Sequence, residues 1–241
     1  MDQRVAVVTG AGKRVGRVLA EGLVELGWSV VAHVHHAADD VPVGCIKVAA
    51  DLLEGDSADR ILRACPRAPN LLVNNAARFA HDDLASFSVE ELDLHMGVNL
   101  RAPILLTKAF AGMAGAGDRL IVNILDAKLS AQNPDFLSYT LSKAALASFT
   151  ELAARVLAPS GIRVNAVAPA LMLHSGEQSD ENFAAAHAFN PLKRGVEPTD
   201  VLTAIRFLLD SPTITGEVLT LDSGQRFMGL PRDVQFLDLS R

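Results

Sequence analysis

The sequence lacks several features that would mark a specialised class of protein. Only two cysteines occur in 241 residues, Cys45 and Cys65, and their spacing matches no metal site, so we expect free thiols in a reducing compartment. No apolar run is long enough to cross a bilayer, and residues 1–9 have no signal-peptide pattern. Lysine and arginine are scattered rather than gathered in a basic stripe. We therefore expect a cytoplasmic protein without a membrane or nucleic-acid partner.

The remaining composition is that of an ordinary globular domain. Hydrophobic residues make up 49% of the chain and charged residues 21%, and the formal net charge is −6. There is no Pro/Gly/Ser-rich linker and no internal repeat. We predict one domain over residues 1–228, followed by a C-terminal tail, residues 229–241, which could pack on a neighbouring subunit or remain disordered.

Apolar β-rich runs alternate with helical patterns along the whole chain. This order predicts an α/β fold, a single Rossmann-type, doubly wound parallel sheet of about seven strands with helices on both faces. Ligands of such sheets bind beyond the carboxyl ends of the strands. The predicted strands cover residues 5–8, 29–34, 46–49, 71–73, 119–125, 163–168 and 218–221. The predicted helices cover residues 14–26, 57–64, 88–114, 136–157 and 199–209.

A glycine-rich turn follows the first strand, with the spacing Gly10-x-Gly12-x-x-x-Gly16. Glycines let the backbone approach a pyrophosphate, and the N-terminus of the next helix attracts its negative charge. By itself the turn is also compatible with a plain tight connection between strand and helix. Its place after the first strand of an alternating chain favours dinucleotide binding by Gly10, Lys13, Arg14 and Val15.

The end of the second strand bears on the choice of cofactor. An NAD site usually has an acid here for the ribose 2′-hydroxyl, but this strand ends at His35 and His36, with no acid before Asp39. The absent acid and the nearby bases Lys13 and Arg14 favour NADP(H), although NAD(H) is not excluded. The histidines are also compatible with simple polar residues at a strand end. A metal site is disfavoured because strand alternation separates His35 from His36.

Tyr139 and Lys143 lie four residues apart on the long predicted helix, so both face the same side. A tyrosine with a pKa of about 10 exchanges protons poorly at neutral pH. We expect the ammonium group of Lys143 to lower the Tyr139 pKa, so that the pair exchanges a proton during hydride transfer. Tyr139 is the only tyrosine of the chain, which argues against a chance surface pair.

With these motifs in place, the chain resembles the short-chain dehydrogenase/reductase family from Arg4 to about Phe227. The resemblance implies that Asp51 and Leu52 lie near adenine and that Lys143 binds the nicotinamide ribose. It also implies that Asn99 helps to hold a water connected to Lys143. The resemblance extends cofactor binding to Asn75, Ala76, Ala77 and Pro169.

Two departures from the family pattern point to one branch of it. Asp126 stands thirteen residues before the tyrosine, where the family usually has serine, and Arg14 replaces the middle glycine of the first turn. Both substitutions, and Phe79 after the Asn-Asn-Ala turn, resemble pteridine reductases and dihydromonapterin reductases. The branch would have an arginine near His36, which is absent here.

The resemblance assigns substrate roles to the same residues. Phe79 would stack on a flat pterin, and Arg14 would reach both the cofactor phosphate and the pterin oxygen. Asp126 would donate a proton or relay it through Tyr139. Less specific roles are also open: Phe79 could be a plain wall of the pocket, and Asp126 could merely orient Tyr139. The loop over residues 171–191 is expected to cover the substrate.

Three functions remain open from the sequence. The first is an NADPH-dependent reductase of a dihydropterin, such as dihydromonapterin or dihydrobiopterin, or of dihydrofolate. The second is a reductase of a ketone or a 3-oxoacyl thioester, and the third is a non-catalytic dinucleotide sensor. The intact pair of Tyr139 and Lys143 argues against the third. The family resemblance further implies a homotetramer that acts on a small-molecule substrate.

Overall fold

A computed structural model describes residues 4–115, 117–174 and 179–238. Within these ranges seven strands form one sheet, and every neighbouring pair is parallel. The strand order is β3-β2-β1-β4-β5-β6-β7, which is that of a doubly wound fold and confirms the predicted fold class. The strands are β1 (Val5–Val8), β2 (Ser29–Val34), β3 (Cys45–Ala49), β4 (Leu71–Asn74), β5 (Arg119–Ile124), β6 (Ile162–Pro169) and β7 (Val218–Leu221).

Seven α-helices connect these strands within the described residues. They are α1 (Arg14–Glu25), α2 (Ser57–Arg63), α3 (Val89–Met96), α4 (Ala102–Gly112), α5 (Leu137–Leu157), α6 (Asp180–His187) and α7 (Pro198–Asp210). The helix predicted over residues 88–114 is interrupted by a π-helical turn, Gly97–Arg101, between α3 and α4. Helix α6 lies within the segment expected to be a loop, of which residues 175–178 fall outside the described ranges.

The two faces of the sheet carry separate apolar cores because successive side chains of a strand point to opposite sides. On β1, Ala6 and Val8 pack with α1 and α7, whereas Val7 packs with α2, α4 and α5. Both faces of the strand are fully buried, which explains why it reads as a continuous apolar run. The predicted layers on both sides of the sheet are thereby confirmed.

The strand order reverses between β1 and β4. The chain runs from β1 outward to β3, then returns to place β4 on the other side of β1. The connections that leave the carboxyl ends of β1 and β4 therefore diverge to opposite faces and open a crevice, where such folds bind their ligands. The glycine turn and the Asn75 segment lie at this point.

The described part of the C-terminal tail, residues 229–238, packs against its own chain. Val234 is buried, and a short 3₁₀ turn, Val234–Phe236, lies beside α6. The sequence suggested only a neighbouring subunit or disorder for this tail, so its packing on its own domain was not predicted. Its contact with a neighbouring subunit stays a prediction, and Leu239 lies outside the described residues. Within the described ranges, no helix has the length and apolar character needed to cross a membrane.

Candidate active site

The glycine turn is bound directly to the end of β4. Gly10 has a φ of +65°, a backbone conformation that suits glycine, and Asn75 Nδ2 donates to the Thr9 carbonyl at 2.8 Å. A Cβ atom at Gly16 would lie 2.1 Å from the Gly10 carbonyl oxygen. Only glycine at position 16 allows α1 to begin this close to the turn.

The N-terminus of α1 suits an anion such as a pyrophosphate. Lys13 precedes the helix without capping it through its side chain, and the first turn contains no acidic residue. The free N–H groups and the helix dipole therefore face the crevice without a carboxylate to compensate them. This arrangement fits the dinucleotide that the sequence predicts.

Arg14 occupies the left-handed region, with a φ of +54°. This finding explains why a glycine is usual at its position, since a side chain there costs of order 1 kcal/mol or more. The exposed guanidinium donates through Nη1 to the His174 carbonyl at 2.9 Å, on the connection that follows β6. Arg14 thus joins the glycine turn to the segment expected to cover the substrate.

The three histidines of β2 and its end have different surroundings. His33 is buried, accepts a hydrogen bond from the Gly10 N–H at 3.2 Å and therefore donates to the Ala50 carbonyl at 3.0 Å. His35 and His36 are exposed, and their rings stack at 4.0 Å. Asp39 accepts from the His36 N–H at 3.0 Å, which together with nearby basic groups lowers its pKa. Among the described residues no set of potential metal ligands converges.

The residues expected to lie near adenine follow the end of β3. Asp51 accepts from the Leu53 N–H at 2.9 Å, and its other oxygen lies 3.8 Å from His35 Nε2. Leu52 is buried. Adjacent ends of β2 and β3 thus place His35, Asp51 and Leu52 in one region.

Asp126 follows β5 and lies directly beside the tyrosine of α5. The Tyr139 hydroxyl donates to Asp126 Oδ2 at 3.0 Å, and the Lys128 N–H donates to Asp126 Oδ1 at 2.8 Å. Lys143 Nζ lies 5.7 Å from the centroid of the Tyr139 ring and donates to the Ile124 carbonyl at 2.7 Å. The predicted catalytic residues are therefore brought together, with Asp126 in contact with the phenol and Lys143 behind the ring.

Burial governs the protonation of this group. Desolvation raises the pKa of Asp126, and it lowers the pKa of Lys143 to about 8. Desolvation and the neighbouring Asp126 charge raise the pKa of Tyr139 well above its usual value. The expectation that Lys143 lowers the Tyr139 pKa is wrong for the protein alone, because desolvation, and then the adjacent Asp126 carboxylate, raise that pKa. In this environment Tyr139 is a neutral phenol and Asp126 the more readily ionised group.

Asn99 sits in the π-helical turn between α3 and α4, a feature that often marks functional sites. Its Nδ2 donates to the Arg78 carbonyl at 3.0 Å and to Ser142 Oγ at 2.9 Å, and its Oδ1 accepts from the Arg78 N–H. Ser142 in turn donates to the Tyr139 carbonyl at 2.7 Å. Asn99 therefore fixes α5 to the segment after β4. Its predicted water contact stays a prediction.

Phe79 stands at the open side of this group, 45% exposed. Its ring meets that of Tyr139 edge to face, with centroids 4.7 Å apart, and stacks on Phe136 at 4.4 Å. One face of Phe79 is thus supported by protein. Half of the side chain remains free to contact a ligand beside the catalytic hydroxyl.

Comparison with known proteins places this geometry in a family. The family model described as enoyl-(acyl carrier protein) reductase, a short-chain dehydrogenase/reductase group, matches residues 10–226. The chain belongs to the short-chain dehydrogenase/reductase family. The expected oxidoreductase class and the Rossmann-type fold are confirmed by this match.

The short-chain dehydrogenases/reductases most similar to this chain have several activities. A 3-oxoacyl-[acyl-carrier-protein] reductase of Synechocystis is 31% identical over 93% of this chain and 97% of its own length. An L-xylulose reductase of Mesocricetus auratus is 33% identical, with 92% and 96% covered. The crystal structure of FolM alternative dihydrofolate reductase 1 from Brucella suis, in complex with NADP, superposes with a TM-score of 0.83. It is 31% identical, and the match covers 93% of this chain and 95% of that one.

Several residues around this short-chain dehydrogenase/reductase site were not found from the sequence. Asp82, buried after β4, accepts from the Ser138 N–H at 3.0 Å and contacts its hydroxyl, so it caps the catalytic helix. Lys128, Asp135 and Phe136 connect β5 to α5 beside Asp126. The cap is separated by 56 residues from the helix it caps, so no local pattern could reveal it.

The remaining predicted positions lie along the crevice without forming a contact that tests them. Ala76 donates through its N–H to Thr9 Oγ1 at 3.0 Å, whereas Ala77 is exposed beside it. Val15 is half-buried in the first turn of α1, and Pro169 is buried at the end of β6. Their roles in cofactor binding stay predictions.

Proposed function

We propose that this protein uses NADP(H) to reduce a ring C=N bond of a flat nitrogen heterocycle, with a dihydropterin or dihydrofolate as substrate. The observation that carries this proposal is the hydrogen bond between the buried Tyr139 and the half-buried Asp126, next to the exposed ring of Phe79. The FolM alternative dihydrofolate reductase 1 structures from Brucella suis and Brucella canis, both with NADP, support it.

The proposed cofactor rests on the groups around the crevice. Lys13 and Arg14 are exposed beside the α1 N-terminus, and His35 and His36 lie at the end of β2. The first acid after β2, Asp39, accepts a hydrogen bond from the His36 N–H. Lys13, Arg14, His35 and His36 would hold the 2′-phosphate, and Asn75 to Ala77 would line the nicotinamide half. Lys143 would bind the ribose.

The chemistry requires a hydride on carbon and a proton on nitrogen. The reduced nicotinamide supplies the hydride when bound. The residues would supply the proton: the Tyr139 hydroxyl would donate it to the ring nitrogen, and a protonated Asp126 would return one to Tyr139. Because burial raises the Asp126 pKa, this acid form persists to higher pH than that of an exposed aspartate. Asp126 then takes a proton from solvent. Phe79 would hold the ring flat beside Tyr139.

The test compares NADPH oxidation with dihydropterin, dihydrofolate and a 3-oxoacyl thioester in the wild type and in Asp126→Ser. The proposal expects the wild type to reduce a pterin or folate, and Asp126→Ser to lose at least about tenfold in kcat/KM on it. The same substitution should spare or improve thioester reduction. Wild-type turnover of the thioester alone would overturn the proposal.

The second candidate is reduction of a 3-oxoacyl thioester, favoured by the similarity to the Synechocystis reductase. It needs only Tyr139 and Lys143, and it gives no role to the acid at position 126. A cytoplasmic location and a homotetramer remain our predictions. Sedimentation of the purified protein tests the latter.

A further inference from the structure

The C-terminal segment, residues 229–238, is fastened to the chain by one buried carboxylate. Asp135 is only 3% exposed and accepts from Arg232 Nε at 2.9 Å, from Arg232 Nη2 at 2.7 Å and from the Asp233 N–H at 2.7 Å. Bidentate arginine–carboxylate pairs of this kind set orientation as well as attraction. The segment is therefore held in one position relative to the residues that precede α5.

A row of aromatic rings leads from this segment to the catalytic tyrosine. Phe236 stacks on Phe136 at 5.7 Å, and Phe136 stacks on Phe79 at 4.4 Å. Phe79 meets Tyr139 edge to face at 4.7 Å. His81 lies edge-on to Phe136 and Phe236, at 5.0 Å and 5.1 Å. Such pairs contribute roughly 0.5–1.5 kcal/mol each beyond burial.

The backbone conformation of Phe136 indicates that its surroundings constrain this row of aromatic rings. It is buried, precedes α5 and has a φ of +55°, which a bulky residue adopts only when its surroundings impose it. Its ring is packed between Phe79 and Phe236, and the Arg232–Asp135 pair begins at the adjacent residue. The tail thus contributes to a conformation that sets both the start of the catalytic helix and the position of Phe79.

We infer that Phe236, held in place by the Arg232–Asp135 ion pair, is a positioning residue that fixes the Phe79 wall of the substrate site through Phe136. The inference deepens the proposed function, since a fixed aromatic wall favours a flat ring. Phe236 does not reach the catalytic hydroxyl itself. Its effect on the reaction must therefore pass through Phe79.

The test is a double-mutant cycle on Phe236→Ala and Phe79→Ala, measured as KM and kcat on whichever substrate the wild type reduces best. We expect Phe236→Ala to raise the substrate KM about three- to tenfold, the effect of one lost aromatic contact. The change in kcat and in the KM for NADPH should stay within about twofold. In the Phe79→Ala background, Phe236→Ala should have almost no further effect.

Three variants separate positioning from general destabilisation. Phe236→Tyr keeps the ring and should retain the wild-type KM, while Arg232→Ala should reproduce the KM increase of Phe236→Ala. Phe207→Ala removes a phenylalanine of similar exposure from α7 and should leave KM unchanged. Thermal unfolding of every variant shows whether the fold is kept.

Additive effects of Phe79→Ala and Phe236→Ala would overturn the inference, as would equal losses for substrate and NADPH. The same measurements distinguish a failure of this inference from a failure of the proposed function. If the wild type reduces only a thioester but the cycle remains non-additive, the positioning role stands and the pterin assignment falls. If a pterin is reduced and the cycle is additive, the pterin assignment stands and the positioning role of Phe236 falls.

Discussion

The phenol of Tyr139 donates its hydrogen bond to a carboxylate, Asp126, at 3.0 Å. Tyr139 is buried and Asp126 half-buried, and both pKa values are raised by desolvation. A hydroxyl at position 126 would only accept or donate a hydrogen bond, whereas a carboxyl group also stores a proton beside the donor.

Tyr139→Phe should abolish reduction while leaving the fold and the cofactor site in place. The substitution removes the hydroxyl that donates the proton, a loss of about 100-fold or more in kcat. The contact between the rings at positions 79 and 139 is kept, and the glycine turn is untouched. Stopped-flow turnover and a fluorescence titration with NADPH measure the two effects. A variant that keeps more than about a tenth of the wild-type kcat would contradict the proton-donor role.

The pH dependence of the reaction should report the protonation of Asp126. Because burial raises the Asp126 pKa, its protonated form persists to higher pH than that of an exposed aspartate. If this form supplies the proton, kcat/KM for the pterin falls as pH rises through that raised pKa. Asp126→Asn, which cannot titrate, should lose this limb of the profile. A wild-type profile that rises over the same range would exclude Asp126 as the acid.

Lys143 should destabilise the folded protein when it is charged. Its pKa is lowered by burial to about 8, against about 10.4 in the unfolded chain. Below pH 8 the charged lysine therefore lowers the free energy of unfolding by roughly 3 kcal/mol, and this destabilisation fades as pH rises to about 10.4. Lys143→Met removes this cost, offset in part by the lost bond to the Ile124 carbonyl.

Urea unfolding of the wild type and Lys143→Met measures this difference. We expect the variant to be more stable by about 2 kcal/mol at pH 7, and the gap to narrow above pH 8. Activity should be lost in the same variant. A less stable Lys143→Met at pH 7 would show that the lysine stabilises the apoprotein.

Arg14→Gly should separate strain from cofactor binding. Arg14 has a φ of +54°, which glycine adopts without a steric cost, so stability should stay equal or rise by up to about 1 kcal/mol. The lost guanidinium should raise the KM for NADPH by about tenfold, and that for NADH far less. Chemical denaturation and steady-state kinetics with both cofactors test this. Equal increases for NADPH and NADH would argue against a contact with the 2′-phosphate.

Asp82→Ala should loosen the start of the catalytic helix. Asp82 caps α5 through the Ser138 N–H and hydroxyl, so its loss should cost about 1–2 kcal/mol of folding stability. Tyr139 lies in the first turn of that helix, and kcat should fall as its position becomes less defined. Asp83→Ala, in an exposed turn next to it, is the matched control and should change both quantities less. Equal effects of the two substitutions would remove the capping role.

The order of the elements and the catalytic pair could be read from local patterns. Strand β1 matches its predicted bounds, and the helix that contains Tyr139 and Lys143 begins one residue later than expected. Local patterns suffice here because periodicity and helix spacing depend on neighbouring residues alone. Helix α6 was missed since its apolar residues, mostly alanines, give only a weak amphipathic signal.

By itself the sequence determined the alternation of strands and helices, the glycine turn and the identities of Asp126, Tyr139 and Lys143. Only the tertiary structure decided how these groups are protonated, because a pKa depends on burial and on charges that are distant in the chain. The Asp82 cap and the ion pair of Asp135 with Arg232 likewise join residues 56 and 97 positions apart. Such contacts arise from packing, which no local pattern encodes.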